Sequence, residues 1–501
     1  MSRTMRETAI LGWRVFFTRR AIPRPKAAEP PLLALGDLDG WLDDHDVLDG
    51  TPFLIDPRGH YDSTLNRYFE MQLSAEPLNT QAAAAYDLKR FLAFLWDNRA
   101  GKTWREVTPE DRAAYKQWRL MDSRGPRVEL GTWDREVATV NKFYRWAVRQ
   151  GYVAANPFIQ RESRSREPGR QNSGETPAES SHQGPRHDME WMPPATYRQW
   201  RDVGVRGFTV GGLPDRSFRG RYASRNATYA DFMVRTGLRL SEQTSLSLYE
   251  VPEIVPGVLN ARTWLPRAIA KGGSERAVYV PASVLKDVWD YVEMERADAV
   301  EQARERGVYE RIRGSLIIED RARPFVLMDG ERQEIGKLDH AERRRVLIRT
   351  DDGGVEPAAL WLTEYGIPSG RSCWQEVFKS ANKRCARLGV RLRCHPHMLR
   401  HSFAVITLEQ LWRGHIQDLA GMTPAQRQTF QMVFGDPLNW VRLRLGHSSI
   451  QTTQIYLHTL QELEMETRMA LIPDGWEPTG VHPEDLSELE ETNDGEPAVA
   501  T

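Results

Sequence analysis

Cysteine is scarce and long hydrophobic runs are missing from this chain of 501 residues. Cys373, Cys385 and Cys394 are an odd number crowded into one short stretch, which argues against a disulfide framework and predicts a reducing compartment. No apolar stretch approaches the roughly 20 residues that span a bilayer. Met1 to Arg20 mixes arginines with short apolar stretches and lacks the apolar core of a signal peptide. The expectation is a cytoplasmic protein with no membrane partner. A surplus of one charge is also absent: 68 Lys and Arg meet 69 Asp and Glu, so phosphate binding must come from particular sites and not from a global field. The balance is uneven along the chain, because Asp474 to Thr501 holds nine acidic residues and no Lys or Arg, leaving residues 1–473 at +8. Aromatic residues are plentiful, with 16 Trp, 15 Tyr and 16 Phe, enough apolar material to exclude wholesale disorder.

Composition divides the chain. Residues 1–59 are proline-rich and irregular, an arm or small cap. Residues 60–158 carry helical periodicity: a helix near Leu65–Leu73, an Ala-rich run after Thr80 with Tyr86, Leu88, Phe91, Leu92, Phe94 and Leu95, and a third helix of about Thr132 to Gln150 stopping at Gly151. Between them Thr108-Pro109-Glu110-Asp111 supplies an N-cap, a proline at the first helical position and an acid three residues on. Residues 159–189, rich in Ser, Gly, Pro and charge, read as a flexible linker. Residues 190–475 are mixed. Asn226 to Tyr249 reads as helix, turn, helix; Thr263–Ala270 and Glu275–Val280 alternate like two strands of a hairpin joined by Lys271-Gly272-Gly273-Ser274; a long amphipathic helix follows from about Pro281 to Arg306. Residues 476–501 form an acidic tail without a fold of its own. The fold class is mainly α with a small β component.

Four segments stand out together: Thr236-Gly237-Leu238-Arg239-Leu240-Ser241-Glu242; Lys271 at the hairpin tip; His397-Met398-Leu399-Arg400-His401; and Leu445-Gly446-His447 with Tyr456 nine residues past the histidine. In this order they resemble the signature of the tyrosine recombinase (phage integrase) family. The resemblance implies a helical DNA-clamping core-binding domain at 60–158 and a catalytic domain at 190–475. It also implies that DNA strands are cleaved and rejoined at specific sites through a 3′-phosphotyrosyl intermediate, in integration, excision or transposition of a mobile element. The implied partners are double-stranded DNA, further copies of the chain in a tetramer on DNA, and accessory proteins; neither ATP, metal nor another cofactor is implied.

Each residue type answers a need of that chemistry. Two guanidiniums, Arg239 and Arg400, would clamp the non-bridging phosphate oxygens. By the same resemblance Tyr456 would be the nucleophile, and because a phenol near pKa 10 is poorly ionised at pH 7, His397 is the candidate base. His447 would bond the phosphate, Lys271 would protonate the leaving 5′ oxygen, and Glu242 would brace the site. His401 and His458 are left out as packing or hydrogen-bonding histidines. Cys394-His395-Pro396-His397 with Cys385 falls short of zinc-ligand spacing, so no metal site is expected. The pattern departs from the family in two places, an insertion at 307–357 and another at 412–436, the second lengthening Arg400–His447 to 47 residues. Two alternatives stand beside the recombinase reading: a type IB topoisomerase-like relaxase, and a catalytically silent DNA-binding relative.

Overall fold

The computed structural model describes residues 12–18, 49–163, 174–180, 189–312, 314–328, 330–420 and 436–469. Most of the N-terminal arm, residues 421–435 of the expected second insertion and the acidic tail lie outside these. The chain divides into two compact units, residues 1–185 and 186–501.

The first unit pairs β1 (Arg14–Phe17) with β2 (Pro52–Ile55) and continues into four helices: α1 (Ser63–Arg67), extended by a π-turn to Gln72, then α2 (Leu78–Asn98), α3 (Pro109–Leu120) and α4 (Leu130–Arg149). The capping box at Thr108 and Asp111 closes both ways and starts α3. On α4 the buried Trp133, Val137, Val140, Tyr144 and Ala147 recur at helical spacing and meet Leu88, Phe91, Leu92 and Leu95 of α2. Gly151, at φ +73°, ends the helix. The stretch expected as a linker is partly ordered. β3 (Gln160–Ser163) pairs antiparallel with β4 (Gly174–Pro177). Its fixing is polar: Gln160 and Asn156 donate to Asn141, Trp133 Nε1 donates to Glu179 O at 3.1 Å, and Arg112 pairs with Glu179. A segment held by such bonds carries no apolar pattern to announce it.

The second unit runs α5 (Pro194–Trp200), α6 (Ala223–Thr236), α7 (Leu240–Thr244), β5 (Asn260–Leu265), β6 (Arg276–Pro281), α8 (Ala282–Tyr291), and, after a π-turn, α9 (Ala297–Glu305). A small lobe follows: β7 (Leu316–Ile318), β8 (Phe325–Met328), β9 (Glu331–Glu334), α10 (His340–Arg343), β10 (Val346–Arg349) and β11 (Val355–Pro357). Its three-stranded sheet has the order β11-β10-β7, with β8–β9 a separate hairpin over a core of Leu316, Ile318, Val326, Ile335, Val346 and Ile348. The unit closes with α11 (Arg371–Arg387), α12 (Pro396–Ala420), α13 (Pro437–Leu445) and α14 (Gln451–Met469). Tyr229 stacks on Trp374 at 3.5 Å in the main core, while α12, α13 and α14 share a separate cluster. The chain is thus mainly helical with small sheets, a mixed α+β fold.

The hairpin differs from its expected form. Strands β5 and β6 pair Leu265 with Arg276, so Pro266–Glu275 is a ten-residue loop and not a tight turn. Pro266 has no N–H to continue the ladder. Lys271 therefore sits in a 3₁₀ turn (Lys271–Gly273) inside this loop.

Candidate active site

The residues singled out in the sequence stand on five neighbouring elements of the second unit. Helix α6 ends at Gly237, whose φ of +66° and close neighbour Phe403, 2.3 Å from where a Cβ would stand, require glycine. The turn delivers Arg239 to the N-cap of α7. Glu242, three residues on and fully buried, then becomes a hub: it accepts from the Arg239 backbone N at 3.0 Å, Arg239 Nη1 at 2.9 Å, Arg276 Nη2 at 2.6 Å and the Lys271 backbone N at 3.3 Å. Burial raises the pKa of this carboxyl, but the Arg276 hydrogen bond and the Arg276 and Arg239 charges outweigh it and hold the pKa at about 2.

Arg400 is 1% exposed. Its Nη1 donates to Gly237 O at 2.5 Å and its Nη2 to Leu445 O, so one guanidinium ties the turn before Arg239 to the end of α13. Burial, and then the charge of Arg239, lower its pKa to about 9. Helix α13 stops at Gly446, φ +62°, where a Cβ would stand 2.5 Å from Ser274 Oγ. This close approach packs the Gly-His turn against the loop that carries Lys271.

Past that turn, His447 Nδ1 bonds Thr453 Oγ1 at 3.0 Å, and its ring lies 6.2 Å from that of Tyr456, nearly parallel. Tyr456 is 2% exposed among Val405, Leu408, Leu438 and Val441. Its hydroxyl lies 3.1 Å from His401 Nδ1. Burial pushes the phenol up to about 12 against the opposing charges of Arg400 and Arg239. Burial, followed by the His397 and Arg400 charges, takes His401 down to about 3; burial and Arg400 take His447 to about 3 as well. Both imidazoles are neutral at pH 7, so the bond between His401 Nδ1 and the Tyr456 hydroxyl joins two uncharged groups. His397 stands beside His401, ring centroids 4.2 Å apart, and burial and Arg400 lower its pKa too. Imidazole NMR titration is expected to find His401 and His447 unprotonated from pH 8 down to pH 5, and a midpoint near 6.5 for either would contradict this placement.

Arg276 escapes the sequence reading, which also takes His401 only as a packing or hydrogen-bonding histidine. Arg276 shares the buried register of β6 with Val278 and Val280, and an arginine there demands a buried carboxylate. His401 lies four residues after His397, hence on the same helix face, but its partner Tyr456 is 55 residues away. Among the described residues no group of three or more His, Cys, Asp or Glu is placed to hold a metal. Cys385 and Cys394 are buried, and burial pushes both thiols up.

The described geometry sets Arg239, Arg400, His401 and His447 around the buried Tyr456 phenol. Residues 65–151 match the family described as "Phage integrase, N-terminal SAM-like domain". Tyrosine recombinase XerC of Lactobacillus delbrueckii subsp. bulgaricus is 21% identical over 403 residues, covering 80% of this chain and 95% of that protein. XerC of Pseudomonas putida is 36% identical over 106 residues, 21% of this chain and 26% of the relative. Among solved structures, the Tn1549 transposon integrase in complex with a circular intermediate DNA is similar at TM-score 0.41 and 14% identity, covering 80% of this chain and 98% of that one. A lambda integrase dimer bound to a core site gives 0.39 and 11%, covering 91% and 85%. The family match and these relatives support the tyrosine recombinase family, whose members are site-specific recombinases, for this chain. Among the described residues no helix is long and apolar enough to cross a membrane.

Proposed function

We propose that this protein cleaves and rejoins double-stranded DNA at specific sites, with Tyr456 as the nucleophile. The observation that carries the reading is the convergence of Arg239, Arg400 and His447 on one buried phenol, whose ionisation the two arginines favour. In the proposed step Tyr456 Oη attacks the phosphorus, the bond to the 5′ oxygen breaks, and that oxygen takes its proton from Lys271. The product is a 3′-phosphotyrosyl ester and a free 5′ hydroxyl. One phosphodiester replaces another, so the exchange balances without ATP or metal. Attack by a second strand's 5′ hydroxyl reverses the step and completes strand exchange.

Electrostatics suggests when the phenol is activated. Burial pushes the Tyr456 phenol up and the His401 imidazole down, so full proton transfer between them is uphill. At rest, then, His401 orients the hydroxyl. A phosphodiester brought against Arg239 and Arg400 supplies the negative charge that raises His397 and His401 and makes one of them the acceptor. Assembly as a tetramer on paired sites, help from accessory proteins, and a role in integration, excision or transposition of a mobile element belong to the same proposal and are carried by the family resemblance. The intact nucleophile favours this reading over a silent DNA-binding relative.

The test is capture of covalent adducts from a random duplex library with sulfur at the bridging 5′ position, whose thiolate leaves without an acid and does not return. With EDTA present and no ATP, the full chain should trap a discrete sequence and Tyr456→Phe none. Adducts with both proteins, or with neither at concentrations that saturate DNA binding, would overturn the assignment.

A further inference from the structure

We propose that the lobe at residues 307–368 is a positioning element for the active site, acting through Arg343 and His340 on helix α7, which carries Arg239 and Glu242. The effect on rate rests on the function proposed above; the mechanical link does not.

Helix α7 has five residues, too short to hold a direction by its own hydrogen bonds, so its two ends set where Arg239 points. One end is the Glu242 hub. At the other, Ser245 caps the helix, and the lobe grips it twice. Arg343 Nη1 donates to Ser245 O at 3.2 Å, and Ser245 Oγ bonds His340 Nδ1 at 2.6 Å. The segment leaving α7 is stitched to the stretch of the lobe that follows β11, Leu248 N to Ala358 O and Leu360 N to Leu246 O, each at 2.9 Å.

Arg343 is 3% exposed, and every nitrogen of its guanidinium is engaged. Nη1 also meets Glu250 at 3.0 and 3.1 Å, Nη2 reaches Ile335 O at 3.0 Å, and Nε reaches Leu338 O at 3.2 Å. Glu250 accepts in turn from Ser247 N at 2.7 Å and Ser247 Oγ at 2.6 Å. Burying this pair is costly, and an apolar residue would serve packing as well. The lobe already has an apolar core of its own. What the fork adds is direction: it ties the exit of α7, at Ser245 and Glu250, to the Ile335–Leu338 turn of the lobe.

Arg343→Met, Arg343→Lys and His340→Ala test the link in the full chain. On the sequence trapped from the library, Arg343→Met should slow single-turnover cleavage about 100-fold, the loss expected of an ångström-scale misplacement. DNA affinity should stay within about twofold of wild type, and Arg343→Lys should recover part of the rate. In an Arg239→Ala background Arg343→Met should add little, because the residue it positions is gone. Amide hydrogen exchange should quicken at Leu240–Leu246 while α6 and α11 keep their protection. His340→Ala leaves the buried fork intact and should cost about tenfold through the same helix, so it decides the case if Arg343→Met does not fold. Fully additive losses with Arg239→Ala, or unchanged exchange at α7 in both Arg343→Met and His340→Ala, would overturn the proposal. If wild type traps no DNA, the functional reading fails while the exchange result still decides the link.

Discussion

Lys271→Ala is expected to slow first-strand cleavage about 10³-fold on ordinary DNA, yet less than tenfold on DNA with sulfur at the bridging 5′ position. The reason is the leaving group. An alkoxide is a strong base that departs poorly without a proton, whereas a thiol, with a pKa near 8.5, departs as the thiolate unaided. Lys271, the proposed donor, is exposed, lies in the ten-residue loop between β5 and β6, and has its backbone N tied to Glu242. The positive φ of Gly272 and Gly273 beside it lets the loop make this turn. Equal slowing on both substrates would assign Lys271 to binding and remove it from proton transfer.

The second large effect concerns stability. Glu242→Gln is expected to cost about 3 kcal/mol of unfolding free energy at pH 7, because the fully buried carboxyl is held down to about 2, well below the usual carboxylate range. Gln keeps the shape but leaves the buried Arg276, and Arg239 beside it, without their counter-charge. The sign follows from linkage. Native Glu242 stays ionised to about pH 2, while the unfolded residue takes up its proton near 4.5. The stabilisation is therefore complete above pH 4.5 and is lost as pH falls toward 2. Denaturant unfolding of wild type and Glu242→Gln at pH 7 and pH 4 should show a gap that narrows at the lower pH. A gap that is absent at pH 7, or that widens on acidification, would contradict this balance.

Motif order made much of the candidate site legible, because glycine turns leave strong marks. Gly237 and Gly446 take left-handed conformations just before Arg239 and His447, and side chains pack where a Cβ would stand. Helix signals fared similarly: the capping box at Thr108 and the stop at Gly151 lie where the residue types put them. Contacts between distant segments were hidden. His401 acquires a role only when α14 folds back across α12, and Arg276 only when β6 lies beside α7. The strand pair Gln160–Ser163 and Gly174–Pro177 was hidden for another reason: side-chain amides and one indole fix it, and these have no periodicity. The lobe after α9 read as charged and turn-rich because its strands are only three or four residues long.

The most direct test is chemical identification of the attachment point. Adduct trapped on the sulfur-bridged library would be digested with nuclease and trypsin, and the nucleotide-bearing peptide sequenced by mass spectrometry. The peptide Leu445–Arg468 contains one tyrosine, Tyr456, and should carry the added mass there through a phosphodiester to a 3′ nucleotide. The mass on any other residue, or a linkage through the 5′ phosphate, would contradict the mechanism.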